Sequence, residues 1–205
     1  MVSPLASLRK GVLRPRDAAH LYTQPGHQFQ YWEEQGVLLK IVHGYYALVP
    51  EARRGLGWRP EVEALALGLG QADYGKNDVA LMHLSAARIH GAIPRAMAIA
   101  VLAVPKQRPE LKTEFGRITF VTRKVGDLKR VRTETELASG WVTSIEQTAL
   151  DLARRPNLVL GMSEAVREAA CNLFSRSDVK KLQMLVKEQR MGAALERLQM
   201  WVKDA

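Results

Sequence analysis

Between residues 105 and 132 the chain carries nine basic side chains, Lys106, Arg108, Lys112, Arg117, Arg123, Lys124, Lys129, Arg130 and Arg132. Only Glu110, Glu114 and Asp127 oppose them, a local charge of +6. Such a segment suits a polyanion or the carboxylates of an acidic protein. The same residue types also protect exposed strand edges from edge-to-edge association. A second constellation is His27-Gln28-Phe29-Gln30-Tyr31-Trp32-Glu33-Glu34-Gln35. Wound as a helix at about 100° per residue, it turns Phe29 and Trp32 one way and His27, Gln30, Tyr31 and Glu34 the other. Gln30 can pair with N6 and N7 of adenine, and Glu34 can accept from N4 of cytosine. Residues 27–35 hold two glutamates and no Lys or Arg. Phosphate contacts must then come from Arg9, Lys10, Arg14 and Arg16 ahead of the helix, and from Lys40 and His43 behind it.

Bond-breaking chemistry has less behind it. Glu110-Leu111-Lys112 has the Glu-x-Lys spacing with which many nucleases hold a metal and a phosphate, but such a motif belongs on a strand behind another carboxylate. Here it follows Pro109, and the strand-like run before it, Ala96 to Val104, contains no acid. His83 and His90 are two helical turns apart, whereas a helical metal pair uses a spacing of three or four, so core or cap roles are expected. Asp151, inside an apolar helix, is expected to hydrogen-bond backbone or to pair with an arginine such as Arg154 or Arg88. Cys171, the only cysteine, has no disulfide partner, and its neighbours Ala169, Ala170 and Leu173 suit a small buried hydrophobe. No phosphate-cradling glycine loop or nucleophile elbow is visible. The expectation is a protein with no catalytic residues, metal or cofactor. A metal nuclease or a phosphotransferase acting on a partner is the enzymatic alternative.

The elements that must position these residues are legible from punctuation and periodicity. A short helix from Pro4 to Lys10, a second opened by Pro15 and running to Leu21, and a third over His27–Gln35 stopped by Gly36 read as helix, turn, helix. Arg14 occupies the position before Pro15 where a Ser or Thr cap is usual. Val37–Val42 and Tyr45–Val49, joined by His43-Gly44, read as a tight hairpin whose two turn residues both tolerate positive φ. Helices followed by a hairpin make a winged helix-turn-helix. The Pro- and Gly-bounded stretch Pro50–Pro60 marks a boundary, giving a head over residues 1–52 and a mixed α/β domain over 58–205. In the latter, helices are expected over Glu61–Leu69 and from a cap at Asp78 to His90. Ala96–Val104 and Ile118–Thr122 are expected as neighbouring strands. Thr143-Ser144-Ile145-Glu146 has capping-box spacing before a helix that faces inward through Ile145, Ala149, Leu152 and Ala153. Helices over Ser163–Leu173 and from Asp178 onward, broken at Gly192, complete an α+β fold.

The 205 residues and 47% apolar content describe a folded chain that can bury a core. The longest apolar run, Ala96–Val104, is about half of a membrane span, and no secretory pattern opens the sequence, so a cytoplasmic protein without membrane contact is expected.

Four segments, in this order, resemble the AbiEi antitoxin family. They are Arg14–Ala19; Glu34–Leu38 with Lys40–Leu48; His83-Leu84-Ser85-Ala86-Ala87-Arg88-Ile89-His90-Gly91; and Val142–Arg154. The resemblance spans roughly residues 10 to 155. It implies the antitoxin of a bacterial toxin–antitoxin operon, with a winged-helix head that binds operator DNA and a C-terminal domain linked to neutralising a nucleotidyltransferase-like toxin. A two-fold operator would imply a homodimer or paired monomers on DNA. The alternative role for the head is protein docking without DNA binding, and for residues 105–132 a cationic surface facing an acidic partner.

Overall fold

The computed structural model describes residues 11–204. Arg9, Lys10 and the helix expected over Pro4–Lys10 lie outside the described residues. The fold is α+β, as expected.

The head opens with strand β1 (Val12–Leu13) and a 3₁₀ turn (Pro15–Ala18). That turn replaces the helix expected to reach Leu21: Tyr22 leaves it to stand edge-on against Trp32, and Pro25 disfavours helix in the residue before it. The side chain of Asp17, not that of residue 14, caps the turn, accepting the Arg14 backbone N–H at 3.1 Å. Helix α1 (Pro25–Glu34) follows, with Pro25 in its first turn. Strands β2 (Leu38–Val42) and β3 (Tyr45–Leu48) form the expected hairpin, with β1 on the other side of β3. Of the two turn residues only Gly44 takes positive φ, at 80°. Leu13, Ala18, Phe29, Trp32, Leu38 and Tyr46 close a small core under α1.

After the exposed stretch Glu51–Gly57, helix α2 runs from Val62 to Tyr74, past the expected end at Leu69. Its glycines are demanded by packing: a Cβ on Gly68 would stand 2.8 Å from the Val12 side chain, and one on Gly70 would collide with Leu102. Asp78 caps no helix. Strand β4 (Ala80–Leu81) comes first, both residues fully buried, and helix α3 begins only at His83 and ends at Ile89, with Gly91 at φ 72° behind it. Pairing in the sheet has overridden the local cap signal.

Strands β5 (Ile99–Val104), β6 (Leu111–Thr113) and β7 (Gly116–Thr122) follow. Then come β8 (Arg130–Glu134) and β9 (Ser139–Thr143), a hairpin not foreseen from sequence. The six-stranded order is β6-β7-β5-β4-β9-β8, with β5 parallel to β7 and β4 parallel to β9. Helix α4 (Ile145–Arg154) is capped by Ser144, which accepts the Gln147 N–H at 3.3 Å. Thr143, the cap implied by the spacing to Glu146, instead ends β9 and bonds Thr148 through its hydroxyl at 2.8 Å. Helices α5 (Ser163–Ser175), α6 (Val179–Gln189) and α7 (Gly192–Lys203) pack around α4, with Asp178 capping α6. Ala149, Leu152 and Ala153 are buried as expected, while Ile145 is only half-buried. Head and body share a core in which Val12, Ile41 and Ala47 meet α2.

Candidate nucleic-acid interface

Two aromatic contacts hold α1. Phe29 is fully buried, its ring 5.3 Å from Tyr46, and Trp32 is buried between Phe29 and Tyr22. Fixing that face leaves the opposite one in solvent. His27, Gln30, Tyr31 and Glu34 are exposed, Tyr31 at 54%, while Gln28 is half-buried at the margin. The stripe expected from the 100° arithmetic is therefore open along the helix.

The cations around it are less free than their sequence positions suggest. Arg14 is half-buried and committed: it grips Asp17 at 2.7 Å and Asp73 of α2 at 2.8 Å. The hydrogen bond to Asp17 and, next to it, the charge of both carboxylates raise its pKa despite burial. Arg16, 68% exposed, reaches Asp73 only at 3.5 Å and can still turn outward. Arg14, Arg16, Gly44 and Tyr45 line a hollow of about 280 Å³ beside the hairpin turn, where His43 is exposed. Lys40 lines a different groove, of about 480 Å³, between the head and the stretch containing Arg53 and Trp58. Arg14 and Arg16 therefore line one hollow and Lys40 another.

Asp73 was not anticipated. It accepts from Arg14, from the Tyr45 hydroxyl at 2.8 Å and from Arg108, whose guanidinium also stacks on Phe120 at 4.8 Å. Burial, and then the bond to Asp73, raise the Tyr45 pKa. The one carboxylate thus ties β3 and the 3₁₀ turn to the body. Nothing in its sequence neighbourhood signalled this, because the expected helix stopped four residues earlier.

The basic segment 105–132 does not stay together. Lys112 and Arg117 lie at the β6–β7 edge of the sheet, and Arg130 and Arg132 on β8 at the opposite edge. Four to five strand spacings of about 4.8 Å separate them, roughly 19–24 Å. Between these, Lys106 is exposed, Arg108 is spent on Asp73, and Arg123 meets Asp151 at 3.4 Å. Lys124 stands 3.9 Å from Asp127, and Lys129 3.3 Å from Glu188. The single cationic patch read from sequence is corrected to two edges, because adjacent residues on a chain need not share a face of a sheet.

The two later segments of the resemblance are brought into contact, and they are interior. His83 Nε2 bonds the Arg155 carbonyl at 3.0 Å and His90 Nε2 the Thr143 carbonyl at 2.7 Å. A carbonyl only accepts, so each Nε2 carries the proton. His83, fully buried and at φ 54°, keeps Nδ1 without a partner, and burial lowers its pKa to about 4. Ser85 accepts the Val101 N–H at 2.8 Å. Asp151 pairs with Arg123 and not with Arg154 or Arg88; burial outweighs that pairing and raises its pKa to about 6, with Oδ2 unpartnered. Arg88 is instead held by Glu63 at 2.6 Å and Glu61 at 2.5 Å. Cys171 is half-buried, and burial raises its thiol pKa.

Of Glu110-Leu111-Lys112 only Leu111 and Lys112 lie on a strand, β6; Glu110 precedes it and meets the Thr119 hydroxyl at 3.4 Å, and the neighbouring β7 carries no carboxylate. Among the described residues no helix is long and apolar enough to cross a membrane. No protein-family model matches the chain, and no curated protein matches it.

Proposed function

We propose that this chain is a DNA-binding repressor of the antitoxin type, whose head acts as a winged helix-turn-helix and whose body counteracts a nucleotidyltransferase-like toxin. One observation carries the DNA reading: α1 buries Phe29 and Trp32 and leaves His27, Gln30, Tyr31 and Glu34 open to solvent. A helix held so by one face can enter the major groove with the other, Gln30 reading adenine and Glu34 cytosine, while Arg16, Lys40 and His43 contact phosphates. The antitoxin reading rests on the resemblance of four ordered segments to the AbiEi family.

Fluorescence anisotropy with the DNA upstream of the chain's own reading frame, at two salt concentrations, tests the first part. Affinity is expected to fall as salt rises. Gln30→Ala should relax preference at one base pair by about 1–3 kcal/mol, whereas Arg16→Ala should weaken all duplexes alike. Affinity indifferent to salt would overturn groove binding. Co-expression with a neighbouring nucleotidyltransferase reading frame tests the second part: growth should be restored only when the antitoxin is present.

A further inference from the structure

The β8 edge carries a surface that the DNA reading does not use. Strand β8 pairs only with β9 among the described strands. Lys129 turns its carbonyl to the Ser144 N–H at 2.9 Å, and Thr135 its N–H to the Ala138 carbonyl at 2.9 Å, so the odd-numbered residues between them face the ladder. By the alternation of an antiparallel pair, the N–H and C=O groups of Arg130, Arg132 and Glu134 point away from the sheet. Beside this edge lies a groove of about 420 Å³, floored by Val131, Ile145, Met184 and Leu185 between β8, the start of α4 and α6. Val131 is 44% and Met184 58% exposed, so apolar surface reaches solvent there.

The charge along the edge and the groove is mainly positive. Among the described residues Arg130, Arg132 and Lys181 have no ion-pair partner, although Arg130 donates to the Val125 carbonyl at 2.6 Å; of the nearby acids Glu188 and Glu146 are engaged, and Glu134 at the far end of β8 is not. Glu188 holds Lys129 at 3.3 Å, and Glu146 accepts from the Ser144 hydroxyl at 2.9 Å and the Asp178 N–H at 3.3 Å. The guanidinium carbons of Arg130 and Arg132 lie 4.7 and 4.0 Å from the Trp141 ring centre, which fixes both side chains against the edge.

We infer that the β8 edge is a docking site for an extended, acidic segment of a partner protein, which adds to the sheet as a further strand. Main-chain bonds to Arg130 and Arg132 supply the pairing, an apolar side chain enters the groove over Val131 and Met184, and carboxylates on the segment meet Arg130, Arg132 and Lys181. A nucleic acid would satisfy the cations but leave the apolar floor and the strand edge unmatched. A second copy of β8, paired antiparallel about Arg132, would set Arg132 opposite itself, a like-charge pair. The inference stands whether or not the head binds DNA.

The test uses the full chain and a capped, fluorescein-labelled peptide of alternating Glu and Val, with its Lys–Val counterpart as control. The acidic peptide should bind saturably and the basic one should not. Arg132→Pro removes an outward N–H without touching a ladder bond, as edge strands allow. It should weaken peptide binding about tenfold or more, roughly one hydrogen bond's worth, while leaving the melting curve and duplex binding unchanged. Arg132→Gln keeps the N–H and should lose less. Met184→Glu, on the groove side, should abolish binding independently of any effect of proline on the strand. The inference is overturned if both peptides bind alike, if neither binds, if Arg132→Pro and Arg132→Gln lose affinity equally, or if Met184→Glu binds like the unaltered chain. Displacement of the peptide by duplex DNA would equally overturn it, reassigning the edge to nucleic acid.

Discussion

Two buried titrating groups set opposite demands on this molecule. Asp151 keeps its proton up to about pH 6 in the fold, whereas an unfolded aspartate loses it near 4. Between those values the folded chain holds the extra proton, so this residue lowers stability as pH rises through the window and costs most above it. His83 titrates at about 4 in the fold, against about 6.5 unfolded. There the unfolded chain holds the extra proton, so the histidine's contribution is full above 6.5 and lost as pH falls toward 4. The two slopes oppose one another between about pH 4 and 6. Asp151→Asn should raise the melting temperature near neutrality and uncover a rise in stability with pH due to His83, measurable by thermal melts at stepped pH. A lower melting temperature at about pH 7.5 would mean that the carboxylate's bonds to Arg123 and Gln147 outweigh its burial. Phe29→Ala should cost about 3–5 kcal/mol, because its fully enclosed ring leaves a cavity in a six-residue core that has little to collapse into it.

At the scale of elements, helix α2 and Asp73 decide how the head is carried. The helix approaches β1 closely enough that Gly68 faces Val12 with no room for a side chain. Gly68→Val should therefore separate β1 from α2 and lower the melting temperature, while Gly126→Ala, at a glycine whose Cβ would meet nothing within 4 Å, should not. Asp73→Ala removes the acceptor shared by Arg14, Arg108 and Tyr45. Leaving those donors unpaired should cost about 3 kcal/mol. It should also speed tryptic cleavage at the exposed Arg53 and Arg54, detectable by timed digestion before global unfolding. Unchanged cleavage would mean that the shared core of Val12, Ile41 and Ala47 holds the head without the carboxylate. The hairpin, α1 and the three C-terminal helices were legible from Gly44, Gly36, Asp178 and Gly192, which act within a few residues, although Gln24-Pro25-Gly26 reads as a break and α1 in fact begins at Pro25. The β8–β9 hairpin was not, because Arg130-Val131-Arg132-Thr133-Glu134 alternates toward solvent and has no buried run to announce it.

Across the whole molecule, the net charge of +9 is carried at separated places: the head's hollow and the two outer edges of the six-stranded sheet. Reversals at the two edges should act independently, since they lie roughly 19–24 Å apart. Lys112→Glu with Arg117→Glu, and Arg130→Glu with Arg132→Glu, combined in one chain, should shift binding of an acidic partner by the sum of their separate effects. If residues 105–132 worked as one patch, either pair alone would have nearly the full effect. Arg16→Ala should lower the slope of log affinity against log salt by about 0.9, one phosphate contact.

Local rules were enough to name the face of α1 that carries its polar stripe, because the 3.6-residue repeat and two aromatic anchors act within a single helix. They were also enough for the α+β class and for those element ends that proline, glycine and capping side chains set from a few positions away, such as Ser163, Asp178 and Gly192. Which cations remain free was settled by packing. Arg14 and Arg108 look available along the chain and are consumed by Asp73, a residue far from both in sequence that close helix–strand contact brings within hydrogen-bond reach. The order of six strands likewise took one run of basic residues and dealt it to opposite edges, since strand pairing follows buried side chains and not the charges that lie between them.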